Sequence, residues 1–289
     1  MASNKFFLLI LTFFSFNAQG SPLLQSIFNK DNPIIDGIAN EQLWNNAPSL
    51  ITHDPIANID IQLQSVYSTD KISFLVKFAD ANANKEHKIM YWNQQKQRYI
   101  TGIEREDTFI FKWSMLPVYM DLSLSSNTPY KADIWYWKSF RTNHQGYADD
   151  KIQLYHTKRK KHAQLLISKE GAPFYLSRQG DKGKAAYRTY ILLEKTAQKR
   201  NKYQQVTPSG SRADIKAKGV WKSGLWTIEW QRALNTTHND DVQFDISNHY
   251  YFGVSRFEIA GRKIDPSLQE PNFGAGEINE TIQFEFIKP

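Results

Sequence analysis

The residues that invite a chemical reading lie between Pro117 and Asp150. Met120 offers a thioether. Trp135 and Trp137 are two apart and so share one face of a strand, while Tyr136 points to the other face. Lys138 and Arg141 follow at once, and Asp149 and Asp150 close the stretch. A soft sulfur ahead of two indoles on one face is one wall of a site for a flat apolar ligand, with cations at hand for its acidic groups. The same residues also fit a plainer account, in which the two Trp fill a sandwich core and Met120 fills a gap. From residue types alone, core packing is the expectation.

The spacing carries more than the types do. The order is Pro117-x-x-Met120, a polar turn over Ser125, Ser126, Asn127 and Pro129, then Ala132-Asp133-Ile134-Trp135-x-Trp137-Lys138, then Gly146-Tyr147-Ala148-Asp149-Asp150. This pattern resembles the haem-binding domain of the ethylbenzene dehydrogenase gamma-subunit and cytochrome c-552-like family. The resemblance implies a periplasmic β-sandwich that binds haem b and serves as the gamma subunit of molybdenum enzymes related to dimethyl sulfoxide reductase. It implies iron held by the Met ahead of Trp-x-Trp and by a Lys near the C-terminus. On this chain those are Met120 and Lys263, the latter in Ala260-Gly261-Arg262-Lys263-Ile264. Trp135 and Trp137 would line the haem, with Lys138, Arg141 and Arg262 near its propionates. His249 and His144 are the alternatives to Lys263, and Met90 is a rival to Met120. Asp121 stands where the family commonly has Gly after its ligand Met. The implied role is electron transfer, with catalysis on partner subunits that hold iron–sulfur clusters and molybdenum.

A Met sulfur tends to raise a haem's reduction potential, which suits a relay. A lysine binds iron only as the neutral amine, against a free pKa of ~10.4, so burial and the metal must displace its proton. The chain has no cysteine, which excludes disulfides, iron–sulfur clusters and the Cys-x-x-Cys-His attachment of c-type haem. Any haem is therefore held non-covalently. The net charge of +7 comes with no nucleic-acid motif and fits an acidic partner surface or simple solubility. Residues 1–20 read as a secretory signal, with Lys5, the apolar run Phe6 to Phe14 and small residues Ala18 and Gly20 before a cut at Ser21. That run is too short to span a bilayer. The expectation is a periplasmic protein without stable membrane insertion, its residues 21–289 forming one domain.

The elements that must position these residues read as strands. IQLQSVYS and KISFLVKFAD, joined at Thr69-Asp70 within residues 61–80, alternate as a hairpin. GVWKSGLWTIEWQRAL at 219–234 is a second hairpin around Ser223-Gly224, with Trp226, Ile228 and Trp230 on one face. Further strands are expected at 104–115, 164–168, 172–177, 242–261 and the final ETIQFEFI. The Asp36-Gly37 turn and the short helical turn after it lay Trp44 on the core. Residues 82–103 read as a long surface loop able to fold over a ligand, and 194–218 as an insertion loop. Glu106 and Asp107 read as solvated charges at a strand start, and the run Lys158 to Lys161 as a solvated loop or a dock for an acidic partner. The fold class is all-β: a single antiparallel β-sandwich, jelly-roll-like and similar to family 9 carbohydrate-binding modules, with long loops. A carbohydrate-binding module without haem is the second functional reading, in which Trp135, Trp137 and the acidic pair would stack and orient a sugar. A haem-free descendant with a structural role is a third.

Overall fold

The structure is a computed structural model that describes residues 21–55, 57–191, 194–257 and 281–289. Its first elements are strand β1 (Leu23–Phe28), helix α1 (Gln42–Asn46), β2 (Ser49–Asp54), β3 (Ile59–Tyr67) and β4 (Lys71–Ala79). Then come β5 (Met90–Asn93), β6 (Arg98–Thr101), β7 (Thr108–Ser114), β8 (Tyr130–Lys138) and β9 (Asp149–His156). β10 (Gln164–Ile167), β11 (Pro173–Gly180), β12 (Tyr187–Thr189), β13 (Lys199–Arg200) and β14 (Tyr203–Gln205) follow. The last strands are β15 (Lys216–Lys222), β16 (Leu225–Ala233), β17 (Tyr250–Phe257) and β18 (Ile282–Ile287).

One sheet runs in the order β10-β11-β9-β8-β7-β17-β18-β1-β3-β4-β16-β15, with β2 paired to β3. It folds over so that β7 and β8 face β4 and β16, and aromatic contacts cross the gap. Trp137 meets Trp226 edge-on at 5.0 Å, Phe78 stacks on Phe109 at 5.8 Å, and Phe74 reaches both Trp113 and Trp135. This is the expected β-sandwich, its core built from period-2 apolar residues on the inner faces. The hairpins at 61–80 and 219–234 stand as β3–β4 and β15–β16, the second turning through Ser223 and Gly224, both with positive φ.

Three features differ from the sequence reading. The main sheet is mixed, because β1 pairs in parallel with both β18 and β3. Residues 82–103 are not one long loop: β5 and β6 form a hairpin, and β13 extends it to three strands. Such short, polar strands have too few alternating residues to announce themselves. Glu106 and Asp107 are not solvated: each is 2% exposed, because each finds enough hydrogen-bond donors to make burial tolerable. Asp107 accepts from the backbone N–H of Asn84 and from Trp226 Nε1.

On the outer face of the second layer, α1 packs Leu43 and Trp44 against Val66 and Leu75. Trp44 Nε1 and the backbone N–H of Gly37 both donate to Glu229 on β16, at 2.8 Å each. Gly37 has φ +83°, and a Cβ there would lie 2.9 Å from the backbone nitrogen of Val220, so glycine is required.

Candidate functional site

The pleat of β8 decides where the residues singled out above can act. Its alternate residues Tyr130, Ala132, Ile134 and Tyr136 point to the outer face and join a cluster with Leu122, Leu124 and Tyr155. Met120 packs against that outer cluster. Trp135 and Trp137 point the other way, into the core between the layers, and both are fully buried. The sheet therefore lies between the thioether and the indoles. Trp135 touches Phe74, Phe111, Trp113 and Phe244. Trp137 donates from Nε1 to Asn143 Oδ1 at 3.0 Å and packs on Gly219, where a Cβ would sit 2.5 Å from its ring. The plainer account of these two residues, core packing, describes their surroundings.

Lys138 and Arg141 lie at the far end of β8 from Met120. The nine residues from Tyr130 to Lys138 separate the two ends by about 26 Å of extended chain. Both cations are buried in an ionic cluster rather than aimed at an open slot. Lys138 Nζ pairs with Asp149 and with the Tyr187 hydroxyl, and it sits 4.4 Å over the Tyr136 ring. Arg141 pairs with Glu106, which also accepts the backbone N–H groups of Phe140 and Arg141, at 2.8 Å each. Its guanidinium lies 5.2 Å over both Tyr187 and Tyr203. Burial pushes Lys138 down to about 8, against the opposing pull of Asp149. Burial alone would raise Asp149, but Lys138, Lys151 and Arg212 around it outweigh that and hold it well below the usual carboxylate range. His87, beside Glu106, is kept neutral by burial and by the neighbouring Arg141.

At the other end, Met120 is half-buried on a groove of about 380 Å³. Leu116, Pro129, Tyr130 and Leu154 supply its apolar wall, and Lys131 and Lys160 stand at its rim. The sulfur accepts a weak hydrogen bond from Thr128 Oγ1 at 3.7 Å, and the Met120 carbonyl accepts from Thr281 Oγ1 at 3.1 Å. Asp121 does not turn toward the sulfur: it accepts from Lys169 Nζ at 2.8 Å and from the Ser123 N–H at 2.9 Å. His156 lines the same groove. Its Nε2 is buried without a hydrogen-bond partner among the described residues, and burial lowers its proton affinity so that the ring is neutral. On β9 His156 follows Tyr155, whose ring joins the outer cluster, so the pleat turns the His156 side chain to the opposite face.

Arg262 and Lys263 lie outside the described residues. His249 is near Glu285 at 3.5 Å with its side chain 58% exposed, and His144 is exposed. Met90 accepts from Thr101 Oγ1 within the small three-stranded sheet, away from the groove.

A family model described as ethylbenzene dehydrogenase matches residues 41–265. The chain belongs to the ethylbenzene dehydrogenase family. The match takes in the two hairpins, the Met120 groove, the Trp-x-Trp strand and most of the sandwich. No curated protein matches this chain. Among solved structures, it is similar to a family 9 carbohydrate-binding module from Caldicellulosiruptor kristjanssonii in complex with cellotriose. Identity there is 10%, coverage is 92% of this chain and 94% of that one, and the TM-score is 0.41. The same module in complex with glucose aligns at 9% identity, covering 92% and 96%, with a TM-score of 0.38. Among the described residues no helix is long and apolar enough to cross a membrane.

As a member of the ethylbenzene dehydrogenase family, the chain can be tested for its fit to haem residue by residue. Met120 fits: its thioether is reachable, its wall is apolar and cations stand at the rim. Trp135 and Trp137 show no exposed ring face, and Lys138 and Arg141 already have carboxylate partners a strand's length away.

Proposed function

We propose that this protein is a periplasmic haem b-binding electron-transfer protein, a gamma-type subunit of a molybdenum oxidoreductase or a partner to one. The observation that carries this reading is the family match over residues 41–265, which includes Met120 on its apolar groove. Haem b, when bound, supplies a one-electron couple. Met120 would offer its sulfur to the iron, giving up its weak bond to Thr128. The groove's apolar wall would keep water from the macrocycle, and Lys160 would meet a propionate in place of Lys138 and Arg141. The second ligand would be Lys263, as the resemblance implies. Catalysis would take place on a partner chain that holds molybdenum and iron–sulfur clusters. Export would follow cleavage near Ser21.

The carbohydrate-binding reading loses its residues. A sugar stacks on an open indole face, and Trp135 and Trp137 have none, while Glu106 and Asp107 are turned inward to donors of their own. The deciding experiment is an absorption spectrum of protein purified from periplasm, oxidised and reduced, followed by extraction with acidified organic solvent. Low-spin haem bands that leave completely with the solvent are expected. Protein that takes up no haem on reconstitution would end this reading.

A further inference from the structure

Four aspartates meet between the two layers of the sandwich, on the side of β8 away from Met120. Asp133 lies on β8, and Asp150 lies on β9, where it pairs in register with Trp135. Asp181 directly follows β11, and its backbone N–H donates to the Asp150 carbonyl at 3.3 Å. Asp241 comes from the loop between β16 and β17. Their exposures are 0%, 0%, 6% and 3% in that order. Asp133, Asp150 and Asp241 each bring a carboxylate oxygen to within 4.8 Å of the others.

These oxygens are not satisfied by the protein. Among the described residues, both oxygens of Asp150, both of Asp241 and Oδ1 of Asp133 meet no hydrogen-bond donor. Only Asp133 Oδ2 is served, by Arg232 Nη1 at 2.8 Å and the Val242 N–H at 3.1 Å. Arg232 is committed there: it also donates to the Val242 carbonyl and is sandwiched by Trp135 and Phe244 at 4.9 and 5.0 Å. Arg232, with Arg212 near Asp181 and His238 near Asp241, is too little to balance four buried carboxylates, and an unpaired buried charge is among the costliest features a fold can carry. Each of the four is pushed upward, first by burial and then, with Asp133 excepted, by the neighbouring carboxylates: Asp181 to about 7, Asp241 to about 8, and Asp133 and Asp150 upward as well. Such a group must take up either protons or a cation.

We propose that Asp133, Asp150 and Asp241, flanked by Asp181, form a binding site for a hard divalent cation, calcium by size. The donors are all oxygen, which selects calcium or magnesium over softer metals. Calcium accepts oxygens at 2.3–2.6 Å, so ligands opposite one another across it lie about 4.8 Å apart, which the aspartate spacing allows. Magnesium would draw opposite ligands to about 4.1 Å and would keep several waters, which suits a buried all-carboxylate cage poorly. A cavity of about 550 Å³ is lined by Ile152, Lys182, Ser211, His238 and Asp240, of which Lys182 and Asp240 are the chain neighbours of Asp181 and Asp241. The site ties β8, β9 and the end of β11 to the loop before β17. This inference does not depend on haem binding.

The test uses the full mature chain. After chelation and dialysis, its thermal midpoint is measured with calcium chloride, with magnesium chloride and with neither, and bound calcium is counted by elemental analysis. Calcium at 100 times its dissociation constant should raise the midpoint by about 5–10 °C, with magnesium doing less. About one calcium per chain should survive dialysis against trace calcium. Asp150→Asn and Asp241→Asn should each abolish the calcium-dependent rise while folding in calcium-free buffer at least as well as wild type, since each removes one unpaired buried charge. If wild type keeps no calcium and calcium leaves its midpoint unchanged, the aspartates share protons instead and the proposal fails. It fails equally if Asp150→Asn folds and keeps the full calcium response. Should neither variant fold, calcium retention by the wild-type chain decides.

Discussion

At Met120 the structure offers a sulfur with little else to do. The weak hydrogen bond it accepts from Thr128 Oγ1 at 3.7 Å is easily surrendered. With haem bound, Met120→Ala should open an axial position, convert the spectrum toward high spin and lower the reduction potential. A variant that keeps the wild-type low-spin spectrum and potential would reduce Met120 to packing. Lys263→Ala then tests the other ligand. Loss of the low-spin bands assigns Lys263, and an unchanged spectrum points to His249. Arg141 belongs to a different class of residue. Arg141→Met leaves Glu106 with the N–H groups of Phe140 and Arg141 and the neighbouring neutral His87, and should cost about 3–5 kcal/mol in urea unfolding, with the haem spectrum unaltered at matched folding. A spectral change without a stability change would return Arg141 to the propionates.

Among the elements, β8 does most to explain what the sequence made legible. Its Trp-x-Trp spacing announced two indoles on one face, and they share one. What spacing could not announce was which face Met120 would join, because Met120 sits in a loop whose path depends on Leu122 and Leu124 seating on the outer cluster. The long alternating hairpins were legible because their alternate apolar residues share one face: Ile72, Phe74, Val76 and Phe78 on β4 and Trp226, Ile228 and Trp230 on β16 all join the core. The aspartate site was hidden, because its members come from β8, β9 and two loops, as far apart in sequence as Asp133 and Asp241. Asp149 and Asp150 illustrate the limit. They are neighbours in sequence, yet one points to Lys138 on the outer face and the other to the cluster between the layers. Contact between β8 and β15 depends on a missing side chain. Gly219 lets Trp137 lie against the β15 backbone, so Gly219→Ala should cost about 1–3 kcal/mol by forcing the indole aside. A thermal midpoint equal to that of wild type would show that the ring has room to move.

For the molecule as a whole, buried acids set the pH dependence. Asp107, Asp181 and Glu229 are raised to about 7 and Asp241 to about 8, chiefly by burial. The folded state thus holds protons that the unfolded chain releases near pH 4, and without calcium stability should fall as pH rises from about 4 to about 8. His87 works in the opposite sense below its unfolded value near 6.5, because it stays neutral when folded, but one histidine offsets only one of these acids. Urea midpoints across this range in chelator should decline, and calcium should flatten the decline. A midpoint that climbs steadily from pH 4 to 8 in chelator would contradict the assignment. The placement of β1 between β3 and β18 has a consequence for assembly. The Gln25 side chain donates to Glu285, 260 residues away, and every residue pair of the β1–β18 ladder is about as distant along the chain. The sheet cannot be completed until nearly the whole polypeptide is present, so the closing step is a long-range loop closure of the kind that makes folding slow. A chain emerging from synthesis would carry an unclosed sheet edge at β1 throughout, which leaves time for a chaperone to hold it before it becomes compact.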